Sequence, residues 1–207
     1  MVKKPGLLYW AGLVQTDGHI RLDKKGEIRA IEFNNDNMRL MTEFCKTCKD
    51  LFEVYPKINK RKDRNSYYAG IYTVENKISV IKGIDFNDPP KPPEISKLNN
   101  KIFGAYLAGV IDGDGDVRIK RKNYPQCVIR ITSGKSQEEL KNSIEMLLNC
   151  KVSITRRQRF REGKQWKKWY ALEFYVSYKN SNFIEKYILP YLLSKHKSGK
   201  LKTFLNK

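Results

Sequence analysis

Residues 103–119 read FGAYLAGVIDGDGDVRI, an apolar run threaded with small residues that ends in Asp112, Asp114 and Asp116 set among glycines. From Gly104 onward it lies without gaps over residues 7–22, LLYWAGLVQTDGHIRL. Tyr106 falls on Tyr9, Ala108-Gly109 on Ala11-Gly12, Asp114-Gly115 on Asp17-Gly18, and Arg118 on Arg21. The offset is 97 residues, close to half of the 207-residue chain. Self-similarity at a fixed offset means one supersecondary unit used twice.

The segments C-terminal to the two copies repeat as well. HIRLD (19–23) and DVRIK (116–120) alternate apolar with charged residues, the period of a half-buried strand. Second strands come next at IRAIEF (28–33) and CVIRIT (127–132). Helical spacing then covers about Asp36 to Phe52 and Ser136 to Asn149, where Ser136 and Glu139 have the spacing of a capping box. Further strand pairs are expected within 54–74 and 152–177. Between the halves lies DPPKPPEIS (88–96), whose prolines extend neither a helix nor a sheet ladder. The expected organisation is an α+β fold of two pseudosymmetric αββαββα halves, residues 1–87 and 98–207, joined by a stiff linker at 88–97.

The residues before each Asp-Gly read as a helix. Gly104, Ala105, Ala108 and Gly109 read as a small-residue stripe that lets the helix approach the one carrying Ala11 and Gly12. Packed about a pseudo-twofold axis, the two helices bring Asp17 and Asp114 together. A helix C-terminus carries partial negative charge and disfavours carboxylates. Two acids converging there repel unless they share protons or hold a cation, for which a hard divalent ion such as Mg²⁺ is suited. Solvated turn residues are the bland alternative. A calcium loop is not: counted from Asp112, Val117 and Asn123 stand where an EF-hand needs Gly and Glu.

Forty-one Lys and Arg against twenty-two Asp and Glu leave a formal charge of +19, an excess that points to a polyanionic partner. Nucleic acid is favoured over a membrane, since neither a basic amphipathic anchor nor an apolar run near 18 residues is present. The lysines and apolar run of the N-terminus are followed by Asp-Gly without a cleavage pattern, and read as a helix rather than a signal peptide. Cys45 and Cys48 form a CxxC, but inside MRLMTEFCKTCKDLF, where apolar residues recur at helical spacing. With no second CxxC and with His19 and His196 distant, the cysteines read as core residues of a reduced, intracellular protein.

The two repeats, LAGVIDGDG (107–115) and WAGLVQTDG (10–18), resemble the motifs of the LAGLIDADG homing endonucleases in their single-chain, two-motif form. With the flanking pattern, the resemblance covers essentially the whole chain. It implies a DNA-binding saddle of two antiparallel sheets with the motif helices at its centre. It further implies that the last acid of each motif, Asp17 and Asp114, binds the metal, with the backbone carbonyls of Thr16 and Gly113 beside them. Mg²⁺ or Mn²⁺ is then expected to support cleavage, and Ca²⁺ to bind without supporting it. Each acid serves one strand of double-stranded DNA across the minor groove, leaving short 3′ overhangs at a long asymmetric target. Auxiliary polar residues of the family sit at the end of the second strand, here Asn35 and Ser133, and after the fourth, here Lys179. The corresponding first-half position is Glu75 with Lys77 nearby, so the two sites are expected to be unequal. Gln15 stands where the other copy has Asp112, which is not the metal-binding position. The implied protein is a monomer working inside the cell on its host genome. A non-cleaving member of the same fold, either an intron RNA-splicing maturase or a DNA-binding regulator, is the alternative.

Strand alternation marks the outward, DNA-reading face. In the second half it carries Arg118, Lys120, Arg130, Thr132, Glu173 and Tyr175, and in the first His19, Arg21, Asp23, Ala30, Glu32, Tyr67 and Thr73. The segment TRRQRFREGKQWKKWY (155–170) holds eleven basic or aromatic residues around one Glu. Arg157, Arg159, Arg161, Lys167 and Lys168 are expected to clamp the DNA backbone there, while Trp166 and Trp169 buttress the hairpin. INKRKDRN (58–65) reads as the equivalent tip of the other half.

Overall fold

The computed structural model describes residues 4–24, 28–62, 64–72, 81, 83–86, 89–97, 99–121, 123–158 and 168–206. The first half runs α1 (Lys4–Asp17), β1 (Gly18–Leu22), β2 (Ile28–Asn35), α2 (Met38–Phe52), β3 (Asn59–Lys60) and β4 (Tyr67–Ile71). A single helical turn, α3 (Glu94–Lys97), comes after the prolines. The second half runs α4 (Asn100–Asp114), β5 (Gly115–Lys120), β6 (Gln126–Ser133), α5 (Glu138–Leu148), β7 (Val152–Gln158) and β8 (Lys168–Tyr175). Its closing helical segment, α6, begins as an α-turn at Ser181–Phe183, widens to a π-turn at Ile184–Ile188 and tightens at Leu189–Tyr191. The last helix is α7 (Lys195–Leu205).

Each half builds one antiparallel four-stranded sheet, in the orders β1-β2-β4-β3 and β5-β6-β8-β7. The registers correspond, with Gly18 opposite Phe33 in one sheet and Gly115 opposite Ile131 in the other. The expected α+β fold of two pseudosymmetric halves is the fold found. The closing helix expected in the first half has no counterpart among the described residues.

Local chemistry accounts for the helix ends. The Asn37 side chain caps α2 by accepting from the Arg39 N–H at 3.0 Å, and Glu53 ends it in the left-handed region at φ 60°. Asn149 ends α5 in the same way at φ 49°. The expected capping box is not formed: Gln137 precedes α5, and Ser136 instead donates to the Glu138 carboxylate at 2.8 Å. On α2 the face bearing Leu40, Phe44, Cys45, Cys48, Leu51 and Phe52 is buried, where Phe44 stacks with Trp10 of α1 and Phe33 of β2. Both cysteines of the CxxC belong to this core, and burial pushes the Cys45 thiol up to about 11. They are packing residues, as their spacing implied.

The motif helices pack by backbone approach. A Cβ on Gly12 would strike the Tyr106 carbonyl oxygen and lie 2.9 Å from the Val110 nitrogen. One on Gly109 would strike the Tyr9 carbonyl oxygen and lie 3.0 Å from the Leu13 nitrogen. Gly104 is a correction: its Cα faces the Tyr187 carbonyl of α6, not α1. Gly104 and Gly109 are five residues apart, hence about 140° apart around the helix, too far to share one stripe. With partners on several sides, α4 is buried from Phe103 through Asp112.

Candidate active site at the paired helix ends

Asp17 is the last residue of α1 and Asp114 the last of α4. The Gly12–Gly109 crossing brings these ends into contact: a Cβ on Gly113 would lie 2.7 Å from Thr16 Cβ and 3.5 Å from Asp17 Oδ2. Asp17, Thr16, Gly113 and Asp114 therefore form one cluster, although the sequence separates them by almost a hundred residues. Asp17 is half-buried, and its Oδ2 accepts from Asn35 Nδ2 at 2.7 Å. Asn35 is oriented in turn by the Asn37 N–H, 2.8 Å from its Oδ1. Burial raises the Asp17 carboxyl above the ordinary carboxylate range; the Asn35 bond and the charge of Lys197 pull it back, and Asp36 pushes it further up. In the second half Ser133 occupies the strand-end position and accepts from the Lys135 N–H at 3.3 Å, the same turn geometry as at Asn35. Lys179 is exposed beyond β8, with its ammonium 6.0 Å from the Tyr178 ring centroid.

Two residues before each acid, a side chain accepts a hydrogen bond from the other half. Tyr9 of α1 donates to Asp112 Oδ2 at 2.8 Å, and its counterpart Tyr106 of α4 donates to Gln15 Oε1 at 2.7 Å. The two acceptors differ because different chain segments cover them. Asp112 also accepts the N–H groups of Leu193 at 2.7 Å and Ser194 at 3.1 Å. Gln15 Nε2 instead donates to carbonyl oxygens of the connecting segment, those of Asp85 and of Lys91, the latter at 3.0 Å. A carboxylate only accepts and an amide both accepts and donates, so each residue type matches the backbone groups presented to it. Burial raises the Asp112 carboxyl, against the pull of these donors and of Lys197.

Lys197 of α7 reaches the same end of α4. Its Nζ donates to the carbonyl oxygens of Ile111 at 2.8 Å, Asp112 at 2.7 Å and Gly113 at 3.3 Å, across the last turn of α4. Burial lowers its pKa, opposed by the charges of Asp112, Asp17, Asp114 and Asp116. It is one lysine in the run KHKSGK, with no local signal separating it from its neighbours.

This donor set suits a hard divalent cation: two carboxylates and nearby carbonyl oxygens at the negative ends of two helices. Among the described residues no group of three or more His, Cys, Asp or Glu side chains offers a metal site by itself. A cation here would need backbone carbonyl or substrate oxygens to complete its coordination, the usual habit of Mg²⁺.

A family model described as a LAGLIDADG-like domain matches residues 5–84. The homing endonuclease I-WcaI bound to its DNA recognition sequence superposes over 96% of this chain and 87% of its own, at 16% identity and a TM-score of 0.60. I-DmoI in complex with DNA and Mn superposes over 93% and 99%, at 16% identity and a TM-score of 0.58. The chain carries a LAGLIDADG-like domain in its first half and has, over its whole length, the fold of single-chain LAGLIDADG homing endonucleases. Full-length DUF199/WhiA from Thermatoga maritima also superposes, over 100% of this chain and 61% of its own, at 13% identity and a TM-score of 0.58. No curated protein matches the chain in sequence.

On the two sheets the described outward residues are largely paired. Glu173 of β8 gathers Arg130, Arg157 at 3.3 Å and Lys120 at 3.7 Å. Arg130, expected to stand out from the sheet, is only 9% exposed because it lies flat against Glu173, its cross-strand neighbour. Lys120 also sits 5.7 Å from the Tyr175 ring centroid, and Arg157 sits 5.6 Å from that of Trp169. Arg118 pairs with Asp116, Thr132 is half-buried, and Lys168 is exposed. In the first half Arg21 pairs with Glu32 at 2.9 Å, and Arg61 is held by Asn34 at 2.7 Å above the Tyr68 ring. These residues line an open depression of about 430 Å³ with Lys60, Lys62 and Tyr72. Tyr67 lies half-buried opposite Asn35. Ala30 is buried, the small side chain lying opposite the longer Arg21. Val117 is buried, whereas Ile119, two residues on along the same face, is 43% exposed near the end of β5. Thr73, Glu75, Lys77, Arg159, Arg161, Trp166 and Lys167 lie outside the described residues.

Proposed function

We propose that this protein is a double-strand DNA endonuclease, with Asp17 and Asp114 as the acids of two strand-specific sites. The observation that carries the reading is the contact between the two motif helix ends, which gathers both acids and the carbonyl-bearing residues Thr16 and Gly113 at the molecule's pseudosymmetry axis. The acids and those two carbonyls would hold Mg²⁺ or Mn²⁺, with Ca²⁺ binding but not supporting cleavage. The bound ion would supply Lewis acidity for water attack and for charge on the leaving 3′ oxygen. The chain's own part is placement. Asn35 holds the Asp17 carboxylate, Ser133 would serve Asp114 from the matching strand end, and Lys179 would supply a cation beyond β8. The two sheets present phosphate-binding cations on both sides of the acids, and their unlike outward residues suit an asymmetric target read by one monomer. Acids this close would act across the minor groove and leave short 3′ ends. Residues 1–87 and 98–207 form the two repeats in this scheme, joined by 88–97.

The test is selection from a randomised duplex library. Complexes captured in Ca²⁺ are transferred to Mg²⁺, and the released ends are sequenced. One recovered target cut on both strands supports the reading, whereas a selected sequence that stays intact refutes it. That second outcome belongs to a rival reading, a sequence-specific DNA binder that does not cut. The ammonium seated on the Gly113 carbonyl, one of the proposed metal oxygens, is what favours the rival.

A further inference from the structure

The outward faces of the two sheets carry an arginine at the same place and hold it differently. In the matched registers Tyr68 corresponds to Ala171 and Asn59 to Thr155, so Arg61, just beyond β3, corresponds to Arg157 of β7. On the second sheet Arg157 donates to the Glu173 carboxylate at 3.3 Å. On the first sheet the place of Glu173 belongs to Gly70, which stands opposite Glu32 as Glu173 stands opposite Arg130. A Cβ on Gly70 would lie 3.1 Å from both Glu32 Cγ and Tyr72 Oη, so glycine keeps this spot open. Glu32 is taken by Arg21 at 2.9 Å and accepts from the Tyr72 hydroxyl. Arg61 is held instead by a neutral group, its Nη2 donating to Asn34 Oδ1 at 2.7 Å, with the guanidinium 5.9 Å from the Tyr68 ring centroid. Its backbone is fixed as well, since its N–H donates to the Ser66 carbonyl at 2.9 Å across the β3–β4 hairpin.

We propose that Arg61 is a specificity-determining residue that reads a guanine under the first sheet, while its counterpart Arg157, turned to Glu173, serves the DNA backbone alone. The inference rests on the reading of the chain as a sequence-specific DNA-binding protein. A guanidinium presents a rigid fork of donors that matches O6 and N7 of guanine in the major groove. A cation that only neutralises phosphate gains nothing from being pinned, and the exposed Lys60 and Lys62 beside Arg61 suit that task. Arg61 is half-buried in the same depression and anchored through side chain and backbone, the pre-organisation that base reading rewards. A bidentate pair of this kind discriminates against the wrong base about ten- to a hundredfold.

Binding selection of the whole protein from a randomised duplex library in Ca²⁺, followed by affinity measurements on each single-base variant of the recovered sequence, tests this. Wild type is expected to recover a sequence containing a guanine whose preference falls about ten- to a hundredfold in Arg61→Lys, which keeps the charge and loses the fork. Asn34→Ala, which leaves Arg61 in place but unpinned, lowers the preference at that same position and tests the proposal even if the lysine protein does not fold. Arg157→Gln weakens binding to all sequences alike. Unchanged preferences in both first-sheet variants, or a loss of affinity spread evenly over all sequences, would make Arg61 at most a phosphate contact and overturn the proposal. A loss confined to one base position in Arg157→Gln would overturn the division between the two arginines. A wild type that recovers no preferred sequence overturns the DNA-reading assignment itself, and this inference with it.

Discussion

Replacing Gly109 by alanine sets two effects of opposite sign against each other. In a helix interior alanine is worth about 1 kcal/mol more than glycine. At position 109 the added methyl would lie 3.0 Å from the Leu13 nitrogen and the Tyr9 carbonyl carbon, and closer still to the Tyr9 oxygen. All three are backbone atoms of α1, so no side chain can swing away. The helices must part by about an ångström, which forfeits dispersion along a close-packed seam. Overpacking of this kind costs about 3 kcal/mol, leaving a net loss of about 2 kcal/mol after the propensity gain. For a chain of this length that is a fall in melting temperature of roughly 4–8 °C. Differential scanning calorimetry measures it, and Gly199→Ala is the internal control: that glycine is also helical, with nothing within 4 Å of an added methyl, and should gain about 0.5–1 kcal/mol. If Gly109→Ala melts as high as Gly199→Ala, the backbone approach inferred for α1 and α4 is wrong.

The matched acceptors Gln15 and Asp112 should not tolerate exchange of chemistry. Asp112→Asn turns an amide toward the donors Tyr9, Leu193 and Ser194, and Gln15→Glu turns a carboxylate toward two carbonyls; each should cost about 1–3 kcal/mol in urea unfolding. The Asp112 carboxyl is raised in the folded state by burial, so the folded chain holds that proton more tightly than the unfolded chain. Stability from this group is complete below the ordinary carboxylate value and falls as pH rises through the raised one. A pH series of unfolding curves should therefore be flatter over that window in Asp112→Asn than in wild type. Glu173→Gln frees Arg130, Arg157 and Lys120 for phosphates. Fluorescence anisotropy across a salt series should show tighter non-specific duplex binding, with a slope steeper by about one.

The repeat was legible because both copies of the motif keep their small residues and terminal acids, and because strand alternation survives around them. The outer strand pairs are then set by antiparallel neighbours close in sequence, while the central pairing of each sheet spans a helix and a strand. Lys197, the Gln15 and Asp112 partnerships and the place of Gly104 were not legible, for a common reason. Lys197 meets its carbonyls across 84 to 86 residues, and Gln15 meets the connecting segment across 70 and 76. Neither periodicity nor spacing carries information about such pairings, and a lysine among forty-one basic residues has no mark of its own. Arg130 shows the same limit on a strand. Alternation placed it on the outward face, but only the cross-strand register revealed that Glu173 folds it down against the sheet.

Strand-resolved cleavage of a selected duplex, each strand carrying its own end label, tests the central claim most directly. In Mg²⁺ the wild-type protein should cut both strands. Asp17→Asn and Asp114→Asn should each abolish the double-strand break, and the double variant should bind the duplex with wild-type affinity and cut neither strand. Cleavage of both strands by the double variant, at the wild-type rate and positions, would contradict the assignment of the paired helix ends as the active site.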